Sequence, residues 1–269
     1  MVLLRLFRRG AAGGGAVAPG ARTGAPRVAV LALAAALILP APVVASPCAD
    51  VAAITRPETL PRLDGKPAET GYRVLAIGSS STFGTGATSP REAYPARLEA
   101  ILRERAARRD VVVVNAGVPG ETAEATLERL AAILAAERFD LAIWQVGTND
   151  ALRGVPEAEL AARLDRGVAL AHDAGIPLLV VDPQFFPAIP DRVAYERAVR
   201  LVGRLAEARG VAVLRRYDVM RAWADRSDEH LASMLAGDRF HMSDAGYACL
   251  AELAADALVA ATGRSASAE

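Results

Sequence analysis

Three consecutive serines close the stretch "LAIGSSSTFGTG" (75–86), where an apolar run gives way to glycine and hydroxyl residues. A serine at a strand-to-helix turn exposes its hydroxyl and leaves its backbone amide available as a donor. That combination suits acyl transfer, which needs a nucleophile, a base, a group that holds the base in one tautomer, and donors for a developing oxyanion. Asp238 and His241 share one short loop, "DRFH", so the carboxylate can hold the imidazole from behind while the other ring nitrogen faces a serine. A glycine in "VPGET" (118–122) can bring its amide close to a reacting carbonyl because no side chain blocks it. Asn149 of "GTND" offers a neutral NH2 that donates without competing as a base.

These residues need a frame that gathers them. The apolar runs "YRVLAIG" (72–78), "VVVVN" (111–115), "LAIWQVG" (141–147), "IPLLVVD" (176–182) and "VAVLR" (211–215) are continuous, as strands buried on both faces must be. Helical spacing fills the stretches between them, which predicts βαβ units and a five-stranded parallel sheet sandwiched by helices. "SPRE" (89–92) predicts a helix over 90–108, with Ser89 as N-cap, Pro90 at the first position and Glu92 closing the cap. "GVPEAEL" (154–160) and "MSDAGYA" (242–248) mark two further helix starts. Ligands collect at the carboxyl ends of such strands. "GSSSTFG", "NAGVPGET", "GTND", "DPQFF" and "DRFH" therefore point toward one rim.

Composition bounds the function classes. Arg5, Arg8, Arg9, Arg22 and Arg27 precede the apolar run "VAVLALAAALIL" (28–39), which is short for a membrane span and is broken by Pro40 and Pro42. Residues 1–45 read as a secretory signal cleaved near Ala45, giving an exported protein, periplasmic or extracellular. An uncleaved N-terminal anchor with transient membrane association is the alternative. Without the five leader arginines, 26 basic residues face 31 acidic ones, and a net charge of −5 argues against a nucleic-acid groove. Residues 46–71 form an irregular segment leading into one domain at 72–262, and 263–269 a flexible tail. Cys48 and Cys249 either pair, tying the mature N-terminus to the last helix, or stay as two separate thiols. His172, His230 and His241 show no metal-site spacing, so no metal is expected.

The blocks "GSSST" (78–82), "NAGVPGET" (115–122), "GTND" (147–150) and "DRFH" (238–241) occur in the order of the SGNH, or GDSL-type, hydrolases, and the chain resembles that family over residues 73–260. The resemblance implies a three-layer α/β/α sandwich of the flavodoxin-like SGNH hydrolase type, a serine esterase mechanism and no cofactor. By position it implies Ser80 as nucleophile, Asp238 and His241 as acid and base, and the Ser80 amide, Gly120 and Asn149 as oxyanion donors. Two departures stand out. Ser79 replaces the usual aspartate before the nucleophile, removing a carboxylate that helps order that loop, and Met242 replaces the frequent proline after the histidine.

Other readings fit less well. Gly84 and Gly86 complete neither a P-loop nor a dinucleotide fingerprint, and "GSSST" lacks the last glycine of a G-x-S-x-G elbow. Ser79 and Ser81 read as turn formers bonded to backbone, Asp150 as a cap, and Gly117 as a site of positive φ. Gln184, Phe185 and Phe186 are candidates for substrate binding, with a core plug as the alternative for the two phenylalanines. Trp144 reads as core, and residues 217–235 around Trp223 as either a lid or a packed flank. The expected function is an exported serine hydrolase acting on a small-molecule or glycan-borne carboxylic ester through an acyl-serine intermediate. Carbohydrate or cell-envelope O-acetyl esterase, thioesterase or lysophospholipase-like activity, and a non-catalytic binding module are the alternatives.

Overall fold

The computed structural model describes residues 71–105 and 110–259, together with Cys48, Val51 and Ile54. The leader with its cleavage site or anchor, nearly all of 46–71 and the tail 263–269 lie outside the described residues. Strands β1 (Tyr72–Gly78), β2 (Val111–Gly117), β3 (Leu141–Gln145), β4 (Leu178–Val181) and β5 (Ala212–Leu214) form one parallel sheet in the order β2-β1-β3-β4-β5. The helices are α1 (Ser80–Phe83), α2 (Tyr94–Arg105), α3 (Ala123–Ala136), α4 (Thr148–Leu152), α5 (Glu157–Asp173), α6 (Arg192–Ala208), α7 (Arg216–Arg226), α8 (Asp228–Met234) and α9 (Asp244–Val259). In this strand order the topological switch lies between β1 and β3, where parallel sheets open a crevice for ligands.

Alternate side chains of each strand serve opposite faces. Val74 and Ala76 join a core with α2, α7, α8 and α9, whereas Leu75 and Ile77 join one with α3, α5 and α6. These two cores make the three layers that the apolar runs predict. Burying each such Val, Leu or Ile contributes roughly 1.5–3 kcal/mol. Strand β2 departs from the prediction: it lies at the sheet edge, and Val112 is exposed while Val111 and Val113 are buried. Trp144 is fully buried in the second core, its Nε1 donating to Thr126 Oγ1 at 3.1 Å.

The helix expected over 90–108 is interrupted. Pro90–Glu92 form a 3₁₀ turn without a Ser89 side-chain cap, Ala93 is extended, and α2 starts at Tyr94. Pro95 explains the break, since a proline inside a continuous helix would clash with the carbonyl four residues earlier; restarting at Tyr94 puts it in a first turn. Glu92 pairs with Arg97 instead of closing a capping box. Residues 217–235 form α7 and α8, divided at Ser227, whose hydroxyl accepts from the His230 amide at 3.0 Å. Met220, Trp223, Leu231 and Met234 are buried, so this region packs on the core as a flank. Cys48 and Cys249 form a disulfide that fastens residue 48 to α9.

Candidate active site

Strand β1 ends at Gly78 and α1 begins at Ser80, a turn that leaves the Ser80 hydroxyl half-buried at the sheet edge. The turn packs directly on Gly117, where a Cβ would fall 2.1 Å from the Phe83 nitrogen. Close approach therefore demands this glycine, and its φ is not positive as expected. Ser79 and Ser81 are also not backbone-bonded turn formers. The Ser79 amide and hydroxyl donate to Gln145 Oε1 at 2.9 and 3.1 Å, with Thr82 Oγ1 at 3.3 Å. Ser81 Oγ donates to Gln184 Oε1 at 2.8 Å. Ser79 thus holds this turn as a double donor to a buried glutamine of β3.

Ser80 Oγ lies 2.9 Å from His241 Nε2, and His241 Nδ1 lies 2.6 Å from Asp238 Oδ2. The loop that makes this possible is pinched by a bridge between Leu235 and Met242 and by the Ala236 amide donating to the His241 carbonyl at 2.8 Å. Met242 is fully buried at the position of the expected proline. Arg239 adopts a left-handed conformation (φ 55°), and the Phe240 and His241 amides both donate to Asp238 Oδ1 at 2.9 Å. Burial raises the Asp238 pKa, but the bond from the His241 ring and those two amides outweigh it and hold the carboxyl below its ordinary range. Thr88 and Tyr247 tie this region to the nucleophile loop: Thr88 donates twice to Asp244, and Tyr247 OH to the Thr85 carbonyl at 2.7 Å.

Gly120 and Asn149 come to the same edge from the loops after β2 and β3. Gly120 needs its positive φ of 82°, and Arg153 Nη2 holds its carbonyl at 2.7 Å. One N–H of Asn149 Nδ2 donates to the Glu121 carbonyl at 2.7 Å. Among the described residues, the amides of Ser80 and Gly120 meet no acceptor. Buried Asp150 is more than a local cap. It accepts from the Ala123 amide (2.8 Å), at the start of α3, and from Arg163 Nη1 (3.0 Å), fastening α4, which carries Asn149, to α3 and α5. Arg129 grips Glu121 through both carboxylate oxygens.

Gln184, Phe185 and Phe186 do not line the site. Gln184 is 1% exposed, and its side-chain amide is engaged at both ends by Ser81 and the Phe240 carbonyl. Phe185 packs edge-on against Tyr217, and Phe186 against Tyr195 and Phe240. Their ring edges find more favourable partners in the aromatic core than in solvent. His172 is exposed beside Asp173 and His230 lies on α8, whereas His241 is the histidine bonded to Ser80. Behind the loops, buried Arg216 donates to the Asp182 carbonyl and Thr148 Oγ1, at 3.1 and 3.3 Å. Burial pushes the Asp182 carboxyl up to about 7, against the Tyr217 amide and the Arg216 charge.

Residues 47–264 match the Non-GDSL lipase-like family. The chain belongs to this family, within the SGNH-type hydrolases. It is 30% identical over 110 residues to an arylesterase from Vibrio mimicus (40% of this chain, 53% of that one) and 33% identical over 117 residues to esterase TesA of Pseudomonas aeruginosa (43% and 58%). The chain thus spans little more than half the length of these curated relatives. The crystal structure of TesA superposes with a TM-score of 0.60 at 25% identity, covering 70% of this chain and 99% of that one. The structure of AlinE4, an SGNH-hydrolase family esterase, gives a TM-score of 0.50 at 31% identity, covering 59% and 82%. In this SGNH-type chain the family blocks are thus joined by side chains outside the motifs: Gln145, Arg153, Arg163 and Gln184. No local pattern marks them, because each acts on a partner brought close only by the fold.

Proposed function

We propose that the protein is a serine hydrolase that cleaves carboxylic esters through an acyl-serine intermediate. The observation that carries this reading is the continuous hydrogen-bonded path from Ser80 Oγ through both nitrogens of His241 to Asp238. Ser80 attacks the ester carbonyl as its proton passes to His241 Nε2, and Asp238 stabilises the imidazolium. The oxyanion is received by the Ser80 and Gly120 amides and the remaining N–H of Asn149. His241 then protonates the leaving alkoxide and draws a proton from the water that releases the acid. Relatives described as an arylesterase and an esterase support the same chemistry. Hydrolysis of p-nitrophenyl esters from acetate to palmitate tests it: turnover by the wild type and its loss in folded Ser80→Ala are expected, and full activity in that variant would overturn the reading.

An apolar acyl group is favoured over a glycan-borne acetate. Among the described residues, Phe83, Val118 and Leu152 are large apolar side chains left 55%, 40% and 38% exposed, each within three residues of Ser80, Gly120 or Asn149. Val118 donates its amide to the Gly78 carbonyl beside the Ser80 turn, and the side chain of Arg153, next to Leu152, reaches the Gly120 carbonyl. Apolar exposure of this kind suits a ligand-contacting surface. The Cys48–Cys249 disulfide supports export, because such bonds persist in oxidising compartments. The uncleaved anchor remains the alternative for the N-terminal segment.

A further inference from the structure

Gln184 follows β4 in the loop "DPQFF" and is almost completely buried. Its two side-chain ends reach two different loops: Oε1 accepts from Ser81 Oγ at 2.8 Å, and Nε2 donates to the Phe240 carbonyl at 2.9 Å. Its backbone amide donates to Thr148 Oγ1 at 3.3 Å, and its carbonyl accepts from Tyr195 OH at 2.7 Å. The amide can be oriented in only one way, because the reverse would set its oxygen against the Phe240 carbonyl oxygen. Ser81, Phe240 and Thr148 are the chain neighbours of Ser80, His241 and Asn149 respectively. One residue thus touches the neighbour of the nucleophile, of the base and of the side-chain oxyanion donor.

We propose that Gln184 is the positioning residue that sets the alignment of Ser80 with His241. These two residues stand 161 positions apart in sequence, and their own hydrogen bond must lengthen and shorten as the proton moves. A fixed strut is needed beside that bond, and an amide gripping Ser81 at one end and Phe240 at the other supplies it. The same loop holds Phe240 a second time: the Phe186 ring meets the Phe240 ring at 4.7 Å, and Phe240 meets the His241 imidazole edge-on at 4.7 Å. Burial keeps water from competing for either end of the amide, so the strut keeps its geometry through turnover. The inference rests on the proposed hydrolase reading, in which the separation of Ser80 and His241 governs the chemical step.

The test compares wild type with Gln184→Met, which keeps the length of the side chain and removes both hydrogen bonds, and with Ser81→Ala, which removes one. Steady-state kinetics on p-nitrophenyl butyrate and the rate of Ser80 phosphonylation are measured alongside thermal melting. Small misplacements of reacting groups cost up to about 100-fold in rate, so Gln184→Met is expected to lose at least about tenfold in kcat and in phosphonylation rate with KM within about twofold. Ser81→Ala is expected to lose less, and the double variant no more than Gln184→Met alone. A folded Gln184→Met with wild-type kcat would overturn the proposal, as would a loss confined to KM. Should Gln184→Met not fold, an unchanged kcat and phosphonylation rate in Ser81→Ala would overturn it equally. Failure of the hydrolase reading is distinct: it would appear as turnover retained in Ser80→Ala.

Discussion

His241 Nδ1 and Asp238 Oδ2 are 2.6 Å apart within a loop closed by Leu235 and Met242, so a carboxylate and an imidazole only three residues apart face each other without a long-range contact. Asp238→Asn keeps this shape but favours the wrong imidazole tautomer, and kcat is expected to fall by roughly 10³–10⁴. The depressed Asp238 pKa has a sign: its stabilisation is present above the unfolded carboxylate value and is lost as pH falls through the lower folded value. The difference in melting temperature between wild type and Asp238→Asn should therefore shrink as pH drops below about 4. The difference itself will be small, because Asp238 is half-exposed and screened by solvent.

Asn149 donates one amide proton to the Glu121 carbonyl, and the proposed mechanism assigns the other to the oxyanion. If Asn149 is an oxyanion donor as proposed, Asn149→Ala will cost about 10²–10³ in kcat. Stopped-flow or steady-state assays with one ester should show the loss chiefly in kcat. A loss confined to KM would mean that Asn149 contacts the ground state only.

Phe83 and Leu152 stand exposed on the rim close to Ser80 and Asn149. If they carry the acyl chain, Phe83→Ser and Leu152→Ser will each lower the octanoate-to-acetate ratio of kcat/KM by about 3–10-fold, since each methylene bound to an apolar surface is worth roughly 1 kcal/mol. The acetate rate itself should hold. Competition assays with the two esters in one reaction give the ratio directly.

The disulfide joins Cys48 to Cys249 across 201 residues and lies in the core with both side chains buried. Reduction, or the double change Cys48→Ala and Cys249→Ala, should lower unfolding stability by about 2–5 kcal/mol. Denaturant unfolding of residues 46–269 with and without reductant measures this. Ester turnover at low temperature should change little, because neither cysteine touches the Ser80–His241 path.

Most of the frame and the pairing of Asp238 with His241 are legible in the chain because they rest on local signals, whereas the choice of Ser80 among three serines rests on the family resemblance. Continuous apolar runs mark strands covered on both faces, and "DRFH" places acid and base within one turn. The exceptions follow from the fold's long-range geometry. Edge position leaves Val112 exposed, which no run of four valines reveals. Pro95 lies inside the helix that the cap-like "SPRE" predicts over 90–108, and the chain restarts its helix at Tyr94 to place that proline in a first turn. Gln184 stands in sequence at the active edge, yet its direction depends on Ser81 and Phe240, over 50 residues away on either side. Asp150 and Gln145 likewise acquire their roles from partners on other loops. Residue type alone could not tell a substrate contact from a strut.

A nucleophilic Ser80 activated by His241 will react with an organophosphonate ester. Incubating the protein with a p-nitrophenyl alkylphosphonate and mapping the adduct by peptide mass spectrometry tests it most directly. One adduct is expected, on Ser80, absent in Ser80→Ala and formed at least about 100-fold more slowly in His241→Ala. An adduct on Ser79 or Ser81, or labelling at an unchanged rate in His241→Ala, would contradict it.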